Sequence, residues 1–263
     1  MSEGLLALRF ARDGAGRTRM AARRQRYPLR TTAVLPMGDG GGGALVYLQN
    51  AAGAVFGGDR LTVDVTVDQG AEACLAAPSA TRLQGGASSH SENRISVGEG
   101  GLIEIAPDML IPHADADHRQ LTTIELADGA AAIVAEALAP GRAARGEAQR
   151  YRALTLKLEM RAAGRPPLAD SLILRPDEAD PALEGAMGPA GYAGSVFAVG
   201  GPAAADAVAD AMDAALRAAP CVHGAAAALA SGGGAVARLT APDAPALRAA
   251  LYAAWGAARL AMV

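Results

Sequence analysis

Three groups of side chains in this sequence have the types and spacing to do chemistry. The first is His113-Ala-Asp-Ala-Asp-His118, where two imidazoles bracket two carboxylates. Imidazole and carboxylate both suit zinc or nickel. A separation of five fits neither the i,i+4 face of a helix nor one face of a strand. The competing reading is a polar loop after the turn at Ile111-Pro112. The second group pairs Cys74, as a nucleophile, with His90 as its base. Cys74 lies in an Ala-Cys-Leu-Ala-Ala strand, where a thiol is expected to be buried and inert. The third is Glu136, which interrupts the apolar stretch Ala130–Leu138. A buried carboxylate needs a partner, and Arg142 is the natural one nearby. The sequence has no Gly-x-Ser-x-Gly elbow, His-Glu-x-x-His zinc motif or dinucleotide fingerprint. The expectation is therefore a binding or scaffold protein and not an enzyme.

These residues are positioned mainly by strands. Between residues 44 and about 175 the dominant period is two. Leu61, Val63, Val65 and Val67 alternate with Thr62, Asp64, Thr66 and Asp68, which puts aliphatics on one face and polar groups on the other. Leu154, Leu156, Leu158 and Met160 repeat the pattern, as does the stretch from Leu168 to Arg175. Asp170 is read there as alternating outward from Leu168 and Leu172. An internal repeat runs through the region. Arg60–Leu75, Asn93–Ile105 and Gln120–Val134 each read as strand, glycine turn and second strand. Gly70, Gly100 and Gly129 hold the same turn position, where glycine adopts positive φ without steric cost. A fixed period of this length points to stacked supersecondary units that bury their aliphatic faces on one another.

The expected fold is mainly β: spiralling or stacked antiparallel sheets, solenoid-like, with two C-terminal helices packed on them. The pattern predicts an arginine- and glycine-rich N-terminal arm over residues 1–43, solvated or facing a partner. Gly38, Gly40, Gly41, Gly42 and Gly43 end it as a flexible loop. They lack the Lys-Ser/Thr ending of a phosphate-binding loop. The hairpin core follows over 44–190, and a strand–helix segment over 191–263. In that segment Ser195–Val199 and Ala235–Thr240 are expected strands, and Ala203–Ala219 and Ala244–Met262 expected helices. Leu247, Leu251, Ala254 and Ala258 form the apolar stripe of the second helix.

Composition narrows the function. The chain has 263 residues, 51% hydrophobic and 19% charged, with a net charge of −3. That suits a globular protein of one or two domains and argues against a nucleic-acid binder. Cys74 and Cys221 form no C-x-x-C spacing and no disulfide framework. With no secretory leader pattern and no apolar run of membrane-spanning length, the chain is expected to be cytoplasmic. Aromatics are 3% of the chain. This disfavours the alternative function considered, a β-solenoid that binds or degrades polysaccharide, because sugar sites use aromatic platforms and paired carboxylates.

A series of motifs resembles the urease accessory protein UreD family, also called UreH. Gly53-Ala-Val-Phe-Gly57-Gly58-Asp59, followed by the alternating strand from Arg60, is similar to the family's Gly-Gly-Asp loop and strand. Ala77-Pro-Ser-Ala-Thr81-Arg82 is similar to its Pro-Gly-Ala-Ser/Thr-Lys segment. Ile105-Ala-Pro-Asp-Met-Leu-Ile-Pro112 resembles its Leu-Pro-Gln-Asp/Glu stretch. Glu136-Ala-Leu-Ala-Pro-Gly141-Arg142, then Gly146-Glu147, resembles its acidic and Gly-Arg pattern. Pro167-Leu-Ala-Asp170-Ser-Leu-Ile-Leu resembles the strand after it. Order and spacing agree over roughly residues 27–175.

The resemblance implies a urease maturation factor without catalysis of its own. Expected partners are UreF, the GTPase UreG through UreF, and apo-urease, in a dimer of such hetero-complexes. It implies no tightly bound cofactor, only transient nickel passing through an internal tunnel. Matching positions nominate Asp59, Thr81, Glu136 and Asp170 as nickel-conduit residues. Gly57, Gly58, Arg82, Gly141, Arg142 and Glu147 are structural or partner-contact candidates, and His113 and His118 could bind the metal in passing. Asp59 has a second reading, as the organiser of a tight turn.

Overall fold

The structure, a computed structural model, describes residues 1–37, 42–106, 109–183, 186–220, 222–230 and 232–262. Gly38, Gly40 and Gly41 of the expected loop, Pro107 and Asp108 of the third motif, and Cys221 lie outside the described residues. The chain opens with β1 (Glu3–Arg12), β2 (Thr18–Arg26), β3 (Leu29–Thr31), β4 (Leu35–Met37) and β5 (Gly43–Asn50). Three similar units follow. The first is β6 (Arg60–Val67), β7 (Glu72–Ala76) and β8 (Thr81–Leu83). The second is β9 (Ser89–Val97), β10 (Leu102–Ala106) and β11 (Leu110–Pro112). The third is β12 (Asp117–Leu126), β13 (Ala131–Leu138) and β14 (Gly141–Arg142). Then come β15 (Glu147–Ala148), β16 (Ala153–Ala162), β17 (Leu168–Leu174), β18 (Tyr192–Gly200), α1 (Ala205–Ala218), β19 (His223–Ala228), β20 (Gly234–Ala241) and α2 (Ala244–Met262).

The expected antiparallel hairpins are corrected. Gly70, Gly100 and Gly129 do sit at equivalent turns, with φ of +64°, +60° and +66°. Each turn closes with a like hydrogen bond: Ala71 N to Asp68 O, Gly101 N to Gly98 O, and Ala130 N to Ala127 O. The two strands leaving each turn nevertheless do not pair with each other. They go to opposite sheets and pair in parallel with their counterparts in the next unit. One sheet runs β17-β16-β12-β9-β6-β1-β2 and the other β19-β20-β18-β13-β10-β7-β5-β3. Antiparallel pairing is found at their flanks, in β1·β2, β16·β17, β13·β18 and β18·β20. The period of two was informative about which residues face inward and silent about which strand lies alongside.

The N-terminal arm is also corrected. β1 pairs in parallel with β6 and buries Leu6, Leu8 and Phe10 in the core. The arginines of the segment lie on the outside, Arg9 and Arg12 on β1 and Arg23, Arg24 and Arg26 on the edge strand β2. The dense early arginines masked the alternation of β1.

Two cores result. Between the sheets lie Val65, Val67, Ile95, Val97, Ile124, Leu126 and Met160 from one side, with Ala73, Ile103, Ala132, Val134 and Phe197 from the other. The second core lies between β13, β18 and β20 and the two helices, and includes Ile133, Val196, Met212, Leu216, Leu247 and Leu251. β13 is buried on both faces over Ala131–Ala135, which explains its apolar run up to Glu136. Both helices appear where the sequence placed them. All four stripe residues of α2 are buried. The helix is further tied down by Arg259, which pairs with the fully buried Glu104 on β10.

Candidate functional site

Parallel stacking puts equivalent residues of successive units side by side. The inward-facing columns change character along their length. Next to the glycine turns the column Val65–Ile95–Ile124–Met160 is aliphatic throughout. Two positions earlier it is Val63–Asn93–Thr122–Leu158, and two earlier again Leu61–Ser91–Gln120–Leu156. Asn93 Nδ2 donates to Thr122 Oγ1 at 3.0 Å. Short polar side chains fill less space than aliphatics, and here the sheets enclose a cavity of about 210 Å³.

Glu136 faces this cavity. Alternation along β13 sends Ala132 and Val134 into the inter-sheet core, and Glu136 follows in the same phase. It lines the central cavity and also an adjoining one of about 510 Å³, lined further by Asp170, Ser195 and Arg238. On the opposite side, Thr81, Asn50 and Ala77 are shared between the central cavity and a third of about 270 Å³. The central cavity thus shares Thr81 in its lining with one neighbouring cavity and Glu136 with the other.

The expected Glu136–Arg142 pair is not formed. Arg142 instead pairs with Glu147, Nη2 to Oε1 at 2.6 Å, across the short β14·β15 ribbon. The pair holds the Glu147 carboxyl below its usual range. Gly141 in that ribbon has φ +125°, and a Cβ there would collide with the Glu147 carbonyl oxygen. Glu136 has Ser195 and then Arg238 as its register neighbours across β18 and β20. Arg238 Nη1 lies 3.2 Å from Ser195 Oγ, and its guanidinium also pairs with Asp170. Burial, and then the nearby Asp170 charge, push the Glu136 carboxyl up to about 7, against the opposing pull of Arg238. Glu136 keeps some accessible surface, and that surface belongs to the cavities it lines.

Asp170 points inward, not outward. It shares its phase with Leu168, Leu172 and Leu174, the inward side of β17. From this edge strand it reaches Arg238 on the other sheet, bridging the mouth of the sandwich. Asp59 does not line any of the cavities. It is 1% exposed and accepts backbone N–H groups from Ser2 at 2.6 Å and Phe56 at 2.9 Å, the turn-organising arrangement. Gly58 takes φ +84° in that turn, and at Gly57 a Cβ would lie 2.8 Å from Ala87 N. Arg82 is exposed beside Thr81.

His113 and His118 have separate partners. His113 Nδ1 lies 3.0 Å from Gln84 Oε1, and His118 Nδ1 lies 2.9 Å from Ser89 Oγ. Burial lowers the pKa of His118 to about 4 and also lowers that of His113. Among the described residues no group of three or more His, Cys, Asp or Glu side chains could hold a metal ion. Cys74 is buried, and that burial raises its thiol to about 11, which leaves it protonated and inert at neutral pH. No Phe, Tyr or Trp lines any of the cavities described above. Ser91, Asn93, Gln120 and Thr122 were missed by sequence reasoning. The signal was there, as polar residues at the inward phase of strands whose neighbours are aliphatic.

The profile of the UreD urease accessory protein family matches residues 2–263. The chain belongs to the UreD family. A UreD urease accessory protein of Herpetosiphon aurantiacus is 37% identical over 176 residues, 66% of this chain and 60% of the relative. One from Opitutus terrae is 38% identical over 124 residues, 46% and 45% of the two chains. One from Haloarcula marismortui is 30% identical over 220 residues, 83% and 73%. The first two matches therefore span less than two thirds of those relatives. Among the described residues no helix is long and apolar enough to cross a membrane.

Proposed function

We propose that this UreD-family chain is a urease maturation factor that binds apo-urease and the accessory proteins UreF and, through UreF, UreG, and passes nickel toward the urease active site. The observation that carries the reading is the set of three adjoining cavities, with Glu136 in the lining of two of them. A conduit for Ni²⁺ needs oxygen ligands that bind weakly enough to release the ion. Thr81, Asn93, Gln120, Thr122, Glu136 and Asp170 supply hydroxyl, amide and carboxylate oxygens of this kind. A closed four-ligand site would instead trap the metal. Glu136 is the central group. Burial pushes its carboxyl up to about 7, so near neutral pH it can exchange a proton for a passing cation. Asp59 is assigned to the scaffold and not to the path, because its oxygens are already taken by backbone N–H groups.

The test is Glu136→Ala, with Thr81→Val as a second lesion at the other junction. Each is expected to lower nickel-dependent urease activation severalfold while UreF, UreG and urease still co-purify with the chain. Full activation, with normal nickel content in the urease, would refute the path. Loss of co-purification would assign Glu136 to structure instead.

A further inference from the structure

A second site lies on the solvent side of the same strands. Residues at the start of β6, β9, β12 and β16, most of them facing away from the core, bound a groove of about 590 Å³. Register aligns Arg60, His90 and Arg119 in one row across three adjacent parallel strands. Lys157 lies one step along β16, and Arg175 follows β17 at the rim. Like charges opposite one another on neighbouring strands oppose folding. Elsewhere on this face several cations are paired internally. Arg94 is held by Glu92 and Asp64, Arg161 by Glu125 and Glu159, and Arg9 by Asp68. Arg60, Arg119 and Lys157 have no ion pair among the described residues. Glu3, at the end of the row, is turned to Arg26 at 3.7 Å. The groove's own Glu92 is occupied by Arg94 at 2.5 Å.

We infer that this groove docks an acidic, extended polypeptide segment of a partner protein, whose carboxylates complete the row of Arg60, His90, Arg119 and Lys157. Adjacent strands are about 4.8 Å apart, so the row from β6 to β16 spans roughly 14 Å. One small oxyanion covers only a fraction of that length. Two or three carboxylates on a chain cover all of it, and exposed guanidinium groups pair well with them. A single-stranded nucleic acid would want aromatic stacking platforms, and none lines the groove. The inference goes beyond the nickel reading, because Arg60, His90, Arg119 and Lys157 lie in the outward phase of their strands, opposite to the residues that face the inter-sheet space.

The test uses the full chain and a fluorescein-labelled deca-glutamate peptide, read by fluorescence anisotropy at about 50 mM salt. Binding is expected, and raising the salt to about 0.5 M should remove it, because exposed charges are screened over a few ångströms there. The double reversal Arg60→Glu/Arg119→Glu should weaken binding by about tenfold or more. Arg161→Glu, on the same face but among paired charges, should change it by less than about threefold. Circular dichroism checks that each variant is folded. If the double variant fails to fold, Lys157→Glu alone should still weaken binding by about threefold. Absence of peptide binding, equal binding by the folded reversal variants, or displacement of the peptide by lower concentrations of oligothymidylate or inorganic phosphate than of unlabelled peptide would overturn the inference.

Discussion

The two ends of the inter-sheet space are built by the same strands in the same register, and they differ in almost everything else. Beside the glycine turns, Val65, Ile95, Ile124 and Met160 stack into a sealed core, with Ile124 fully buried. At the other end the columns hold Asn93 and Thr122, then Ser91 and Gln120, and the sheets part around a cavity. Backbone pairing sets the scaffold for both. Side-chain volume and polarity decide whether the gap closes. A parallel stack of similar units can therefore be sealed at one end and leave a cavity, lined in part by polar side chains, at the other, without changing topology.

Substitutions can break this contrast. The largest effect is expected from Ile124→Ala at the sealed end, about 3 kcal/mol of stability by urea denaturation, because the packed surroundings cannot collapse onto the lost methylenes. Thr122→Ala, two residues away on the same strand, should cost about 1 kcal/mol or less, since the cavity lets water take over its hydrogen bond to Asn93. Equal costs for the two would mean that the polar end is packed as tightly as the other.

A pH series sharpens the comparison. Glu136 has a folded pKa of about 7, above the ordinary carboxylate value. The folded state then holds the extra proton, so its contribution to stability falls as pH rises from about 4.5 to 7. His118 has a folded pKa of about 4, below the ordinary imidazole value. The unfolded state binds the extra proton there, so stability rises with pH from about 4 to 6.5. The two slopes oppose each other in nearly the same window. Glu136→Gln should remove the falling slope and leave melting temperature rising more steeply between pH 4.5 and 6.5, with a gain of about 1–3 kcal/mol at pH 8. An unchanged profile would show that Glu136 is fully hydrated in its cavity.

The smallest stability effect is expected from Asn93→Leu, which pushes apolar volume into the central cavity. Its cost or gain should stay within about 1 kcal/mol, because the cavity has room for the side chain. Urease activation should fall nonetheless, which a coupled activation assay would read. Unchanged activation would separate the cavity from function.

Much of the architecture was legible because it rests on local rules. The glycine spacing marked three equivalent turns, and the alternation of Leu61, Val63, Val65 and Val67 marked their inward face. The helical stripe of Leu247, Leu251, Ala254 and Ala258 marked α2. The candidate site was half legible. Thr81, Glu136 and Asp170 line the cavities, and the motif resemblance had nominated all three, whereas Asp59 went to a turn. Arg238 went unnoticed, because nothing local links it to Asp170, 68 positions away. The pairing of Arg142 was misjudged because two acids compete for it, and the short β14·β15 ribbon brings Glu147 to it first.

By itself the sequence determined the period-two faces, the glycine turns and the amphipathic helices, since each depends on residues within a few positions of one another. Only the tertiary structure decided that the units stack in parallel, because alternation is identical for either strand direction. It alone turned scattered polar residues into a cavity lining and lone cations into a row. Those arrangements come from register between strands about 30 residues apart, and no local pattern encodes which side chains will share a column.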